Sequence, residues 1–298
     1  MKKQQFGKLV VFGVGLIGGS CALALKEKHA VREVIGIGRT RANLDAAQQR
    51  GLIDRAFAFD EAWESELRDA DIVLLATPVA QIETLLARIL PAVSEQAIIS
   101  DAGSTKQNVI ATARQCYQTQ SRVSFSRFVP AHPIAGTEHS GAAAAFAALY
   151  ENKNVVITPL DETDAECVAT TSALWQTCGA VIRTMTPAQH DTIFAAVSHL
   201  PHMLAFALVA ELASRPDADI YFQYAGSGFR DFTRIAASSP EMWRDIALDN
   251  RDALIEELDA FTVMLSKLRT EIADQDGTEL MKRLQIASEA RNQWAQKK

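Results

Sequence analysis

A doubly wound α/β sheet followed by an all-helical half is the fold this sequence predicts, on three observations. A continuous apolar run, Leu9-Val10-Val11-Phe12, passes directly into Gly13-Val14-Gly15-Leu16-Ile17-Gly18-Gly19 and then into a helical pattern. Short apolar strands and helices alternate from there to residue 184, the rhythm of a parallel sheet covered on both faces. At Thr186-Pro187-Ala188-Gln189 the strand signals stop, and a capping box with proline at the first helical position opens a new helix. The expected division is an α/β domain over residues 1–185 and a helical domain over 186–298.

The composition fits that frame. The 298 residues are 48% hydrophobic and 22% charged, enough to bury a substantial core in roughly two domains. A net charge of -6 with no basic run argues against a nucleic-acid partner and for small molecules. Cys21, Cys116, Cys167 and Cys178 are scattered with no metal-type spacing, which suits free thiols in a reducing cytoplasm; no metal site is expected. Lys2-Lys3 leads almost directly into the first strand, with no export signal. The apolar run 193–210 contains His199, Pro201 and His202, so a buried helix is expected there and not a membrane span.

Taken in order, the first strand, its glycines and the helix over 20–28 form a dinucleotide-binding fingerprint. Gly13 permits the tight turn, Gly15 lets backbone approach a pyrophosphate, and Gly18 lets the helix pack on the strand; Leu16 and Ile17 open the helix end that faces the phosphates. The second strand, 33–37, ends in Gly38-Arg39-Thr40-Arg41, with no acid to grip a ribose diol and two guanidinium groups suited to a 2′-phosphate. NADP is therefore favoured over NAD. The alternative is that Arg39 and Arg41 only decorate the helix over 42–50.

Strands over 55–59 and 71–76 follow, the latter ending in Thr77-Pro78-Val79 before a helix near Gln81. A strand over 97–100 turns through Asp101-Ala102-Gly103-Ser104-Thr105-Lys106 into a helix over 107–116. Thr77 and Ser104 thus stand at carboxyl ends of strands, where ligands lie in such sheets; Ser104 as a plain helix cap is the competing reading. After a strand-like run at 128–130 comes His132-Pro133-Ile134-Ala135-Gly136-Thr137-Glu138, read as a loop carrying a histidine suited to proton exchange near neutral pH. On this segment alone a turn with a capping histidine explains it as well. An Ala-rich segment over 141–149, strands over 154–158 and 180–184 and a helix over 163–178 complete the α/β half.

In the helical half, Asp191 and His202 are eleven residues apart, about three turns, and so share one face with Ser198, while His199 lies off it. A satisfied buried histidine explains His202 equally well. Residues 226–234 read as a loop that places Asp231 and Arg234 beside glycines, with Arg234 able to grip a carboxylate. Leu254, Leu258, Phe261, Leu265, Leu268 and Ile272 form a heptad stripe that asks for a partner helix, in a homodimer or within one subunit. A polar helix over 279–296 ends the chain.

Together the Gly13-to-Ser20, Asp101-to-Lys106 and His132-to-Glu138 segments, Ser198-His199-Leu200-Pro201-His202 and Gly228-Phe229-Arg230-Asp231-Phe232-Thr233-Arg234 resemble the prephenate/arogenate (cyclohexadienyl) dehydrogenases over nearly the whole chain. The resemblance implies a Rossmann domain with a helical dimerisation domain, and oxidative decarboxylation of a cyclohexadienol in tyrosine biosynthesis with hydride transfer to NADP or NAD. It implies His132 as the catalytic histidine and Ser104 as the residue that orients it. His202 and Arg234 would bind substrate, Thr137 and Glu138 would line the entrance, and Asp191 and Asp231 would support them. Gly38-Arg39 departs from the acidic end of NAD-preferring members, and Ser227 interrupts a loop expected to be richer in glycine. One rival, a hydroxyacid dehydrogenase, predicts a catalytic lysine in the helical half, yet none occurs after Thr186 until Lys267. A second, a nucleotide-sensing module without turnover, leaves His132, His202 and Arg234 without a role.

Overall fold

Six parallel strands carry the first half of the chain in the order β3-β2-β1-β4-β5-β6. They are β1 (Phe6–Phe12), β2 (Val31–Gly38), β3 (Arg55–Ala58), β4 (Ile72–Leu75), β5 (Ile98–Asp101) and β6 (Phe128–Val129). The computed structural model describes residues 5–120, 122–137 and 139–296. Because side chains alternate along a strand, Leu9 and Val11 enter one core while Val10 and Phe12 enter the other. The first core is closed by α1 (Leu16–Glu27), α2 (Arg41–Gln49) and α5 (Ala165–Thr177), through Leu25, Leu44 and Trp175. The second is closed by α3 (Ile82–Ile89) and α4 (Gln107–Gln120), through Leu86, Ile89 and Ala113. Burial on both faces is why these strands read as unbroken apolar runs. The order reverses between β1 and β4, which opens a crevice beyond their carboxyl ends.

The later strands do not extend this sheet. β7 (Ala131–Pro133), β8 (Asn154–Ile157) and β9 (Val181–Thr184) form a separate three-stranded sheet, β7 antiparallel to β8 and β8 parallel to β9. Pro130 marks the change of partner: it has no N–H for the β5 ladder, and its carbonyl accepts from Thr158 N at 3.0 Å instead. His132 consequently lies in the middle of a strand, opposite Val156, and not in the expected loop.

The capping box at Thr186 forms as expected, with Gln189 N donating to Thr186 Oγ1 at 3.2 Å and Thr186 N to Gln189 Oε1 at 3.1 Å. The helix it opens is interrupted: α6 (Pro187–Phe194) passes through a π-helical turn, Ala195–His199, into α7 (Leu200–Ala213). Residues Pro187–Ala213 are long and apolar enough to cross a membrane by length and composition. One face, with His190, Asp191, Phe194, Ala195 and His199, is buried, whereas Ile193 and Val197 are exposed on another; the buried helix expected here is buried along one face. Residues 226–234, expected as a loop, fold into the short helix α9 (Ser227–Thr233), after α8 (Ala218–Gln223), and lead into a 3-10 turn, Arg234–Ala237. Extended backbone at Gly226 starts α9, and α10 (Pro240–Asp249) follows.

The chain forms two compact units that part between Asn250 and Arg251. The second holds α11 (Arg251–Ala273) and α12 (Gly277–Gln296), joined by Arg283 Nε donating to both carboxylate oxygens of Glu271 at 3.1 Å. The heptad stripe runs along α11, with Leu265 and Ile272 exposed.

Candidate active site

The crevice is built for close backbone approach. Gly13 has φ +90, and a Cβ there would stand 2.4 Å from the Ala76 carbonyl; one at Gly18 would stand 2.4 Å from the Gly13 carbonyl. Nothing lies within 4 Å of a Cβ built on Gly15, so space is open where Leu16 and Ile17 begin α1. That helix start has no side-chain cap and no acid in its first turn, leaving its first N–H groups for an anion. Thr77, at the end of β4, is buried, and its Oγ1 has no hydrogen-bond partner. An orphaned hydroxyl beside an uncapped helix and an open glycine fits a dinucleotide's pyrophosphate and nicotinamide end.

At the adenosine side, a Cβ on Gly38 would meet Leu44 Cδ2 at 3.2 Å, so an acid there would require Leu44 to move. Arg39 is exposed, Thr40 precedes α2 as its N-cap residue, and Arg41 Nε pairs with Asp45 at 3.0 Å. Asn43, which sequence reasoning passed over, spans the crevice wall: its Nδ2 donates to the Val14 carbonyl at 2.7 Å, and its Oδ1 accepts from Ala142 N at 2.7 Å. Tyr150 Oη adds a bond to the Ile17 carbonyl at 2.6 Å. The segment that follows Thr137 is thereby tied to the glycine turn.

His132 meets a residue the sequence did not single out. Its Nδ1 lies 2.8 Å from His190 Nε2, and His190 Nδ1 lies 2.7 Å from Asp191 Oδ1. The Asp191 carboxylate also accepts the backbone N–H groups of Lys106 and Gln107, each at 2.8 Å. Lys106 is fully buried; its Nζ pairs with Asp101 and donates to the Ala131 carbonyl at 2.8 Å, while Ala131 N donates to Asp101 Oδ1 at 3.2 Å. Asp101 and Lys106 thus grip both sides of the residue before His132. Phe194 packs against the rings of His132 and His190, with centroids at 4.9 and 4.5 Å.

Burial holds His132 well below the ordinary histidine value, and His190, Lys106 and His199 add to the effect. Burial also lowers His190, against a hydrogen bond to Asp191 that raises it. Burial works to raise Asp191, but hydrogen bonds from His190 and the N–H groups of Gln107 and Lys106 outweigh it and leave the carboxyl lowered. At neutral pH the cluster therefore holds one carboxylate and neutral imidazoles.

The π turn changes which residues share a face. An α-helix turns about 100° per residue, and one extra residue in a π turn sets everything beyond it back by about that amount. His199, and not His202, returns to the side of Asp191: Asn250 Nδ2 donates to the Asp191 carbonyl at 2.8 Å and lies 3.1 Å from His199 Nδ1. His202 instead stacks on Trp243 at 3.6 Å and is held through Nδ1 by the Ser198 carbonyl at 2.9 Å. Burial lowers its pKa against the bond to the Ser198 carbonyl, which raises it, and the positive charge of Arg234, the other predicted substrate residue, adds to the lowering.

Ser104 is half-buried in the turn between β5 and α4. The partner seen at His132 Nδ1 is His190, because α6 and not that turn abuts this side of β7. Thr137 Oγ1 accepts from His139 N at 3.2 Å in an exposed stretch, Asp231 is exposed on α9, and Glu138 lies outside the described residues. Among the described residues no group of His, Cys, Asp and Glu has the arrangement of a metal site.

This strand order, the open glycine turn and a buried histidine relay in the adjoining sheet define a dinucleotide-binding α/β protein with a reactive centre. More narrowly, the chain belongs to the prephenate dehydrogenase family. Residues 21–184 match its nucleotide-binding domain and residues 186–286 its dimerization domain. The chain is 35% identical over 288 residues to the cyclohexadienyl dehydrogenase of Zymomonas mobilis, covering 96% of this chain and 95% of that protein. It is similar in structure to the prephenate dehydrogenase of Aquifex aeolicus in complex with hydroxyphenyl propionate and NAD+, with TM-score 0.88, 34% identity and coverage of 98% and 99% of the two chains. The Synechocystis arogenate dehydrogenase matches with TM-score 0.77 and 33% identity over 96% of this chain and 99% of that one.

Proposed function

We propose that this chain oxidatively decarboxylates prephenate, arogenate or both, with hydride transfer to a nicotinamide dinucleotide, as a cytoplasmic homodimer. The observation that carries the reading is a buried, neutral His132, set in the sheet that adjoins the dinucleotide crevice and hydrogen-bonded to His190 of α6. Gly13, Gly15 and Gly18, with Leu16, Ile17 and Thr77, would hold the dinucleotide, which supplies the hydride acceptor. His132 takes the hydroxyl proton as hydride leaves the carbinol carbon. The carboxylate departs as carbon dioxide, its bonding pair enters the ring, and the proton returns to the phenolate oxygen formed. Aromatisation supplies the driving force, so the protein has mainly to position and to exchange one proton. Ser104 is assigned to orient His132, His202 and Arg234 to bind substrate, Arg234 through a carboxylate, Thr137 and Glu138 to line the entrance, and Asp231 to support the substrate-binding residues. Residues 1–185 would form the nucleotide domain and 186–298 the substrate and dimer domain, with exposed Leu265 and Ile272 covered by the second copy.

NADP is the cofactor this reading favours, since no carboxylate stands at Gly38 and Arg39 is exposed just beyond it. Arg41 contributes less, because Asp45 and Glu61 already face its guanidinium. Following reduced cofactor with prephenate and arogenate, each with NADP and NAD, tests the assignment: reduction with at least one pair is expected, and no reduction with any pair overturns it.

A further inference from the structure

We infer that His190 is a positioning residue which, together with Asp191, fixes the tautomer of His132 so that Nε2 of His132 is the atom that takes the substrate proton. The inference rests on the reading of His132 as the base, and it follows from counting donors and acceptors along the relay. Backbone N–H groups only donate, and Lys106 N and Gln107 N address one oxygen each of Asp191. Both oxygens are therefore acceptors, and the His190 nitrogen 2.7 Å from Oδ1 must carry the hydrogen there. A neutral His190 with its proton on Nδ1 presents a lone pair at Nε2. The His132 nitrogen 2.8 Å away is Nδ1, so that nitrogen is the donor. One lone pair remains on His132, at Nε2.

The opposite polarity requires His190 to be doubly protonated. It would then be a cation with Lys106 nearby, and burial already lowers its affinity for a proton despite Asp191 and Asp101. When His132 accepts the hydroxyl proton at Nε2, its Nδ1–H keeps donating to His190, and the new charge is stabilised through His190 by the Asp191 carboxylate. The arrangement has the logic of an Asp-His-nucleophile triad, in which the carboxylate selects the imidazole tautomer, with a second imidazole interposed. The α4 N-terminus, the π-turned helix and β7 all converge on it, and each member is buried.

Two substitutions separate this role from packing. His190→Gln keeps an acceptor near the Nε2 position, whereas His190→Asn reaches only toward Asp191 and leaves His132 Nδ1 without its acceptor. In 15N-histidine spectra, wild-type His132 is expected as the Nδ1–H tautomer, and His190→Asn as a mixture. Turnover in His190→Asn should fall at least about tenfold with KM changed less than about twofold, and His190→Gln should recover most of the loss. A wild-type His132 protonated at Nε2 overturns the inference even if neither variant folds. So does full turnover in His190→Asn, or equal losses in both variants with an unchanged His132 tautomer. His132→Asn, assayed alongside, tests the base itself: undiminished turnover there removes the functional reading, while the tautomer of wild-type His132 is still read independently.

Discussion

Acidification should destabilise this protein well above the range in which its carboxylates titrate, because several histidines are buried neutral. His199 shows the magnitude most directly. Burial lowers it from 6.5 to about 4, only partly opposed by the Asp191 charge and by a hydrogen bond with the Ser104 backbone. A folded-state value below the unfolded one means that the unfolded chain binds more protons between the two. The stability is therefore fully present above 6.5 and is lost as pH falls toward 4. Fully expressed, the gap corresponds to about 3 kcal/mol, most of which is lost by about pH 4.5. His132 and His190 act with the same sign from 6.5 downward. Asp249, raised above 3.8 by burial against a hydrogen bond from Thr105, has the opposite sign, as its folded form takes up a proton first. Urea unfolding followed by circular dichroism at a series of pH values, at fixed protein concentration so that dimerisation does not vary, measures the slope. His199→Gln should be less stable at neutral pH, having lost the contacts to Asn250 and Trp243, but its stability should fall less on acidification to about pH 4.5, by about 2–3 kcal/mol. Parallel curves for the two proteins would refute the assignment of that slope to His199.

Replacing His132 with asparagine should leave dinucleotide binding intact and lower turnover at least about a hundredfold; fluorescence titration of cofactor beside steady-state rates checks both halves. Arg234→Gln should act through substrate affinity, raising KM about tenfold with a smaller change in kcat, and an unaltered KM counts against a carboxylate contact. Arg39→Ala should weaken NADP by about tenfold or more while scarcely changing NAD, with the difference shrinking as salt rises. Equal loss of both cofactors, or a wild-type preference for NAD, would show that Arg39 does not read a 2′-phosphate.

The α/β half was legible because its signals are local. The run from Leu9 to Phe12, the glycines at 13, 15 and 18 and the capping box at Thr186 each act within a few residues, through sterics and backbone hydrogen bonding. Their geometry agrees with the residue pattern, since a Cβ on Gly18 would strike both the Gly13 carbonyl and the Val11 side chain of β1. His132 stood out for its chemistry, but its placement did not. A three-residue strand is too short for its alternation to be read, and the exchange of partners at Pro130 depends on β8, which arrives more than twenty residues later. The π turn was hidden for another reason: inserting one residue leaves the apolar composition of Pro187–Ala213 unchanged while moving His199 into the cluster and His202 onto Trp243. His190 went unnoticed because a helical wheel weighs a residue against its own helix. Its partner lies 58 residues away on another element, and only packing α6 against β7 and the start of α4 makes them neighbours. Local sterics and periodicity thus set the strands and helices of the first sheet, the cofactor turn and the start of α6 from sequence alone, whereas the strand that holds His132, the π turn and the polarity of the histidine relay arise from packing, burial and donor geometry.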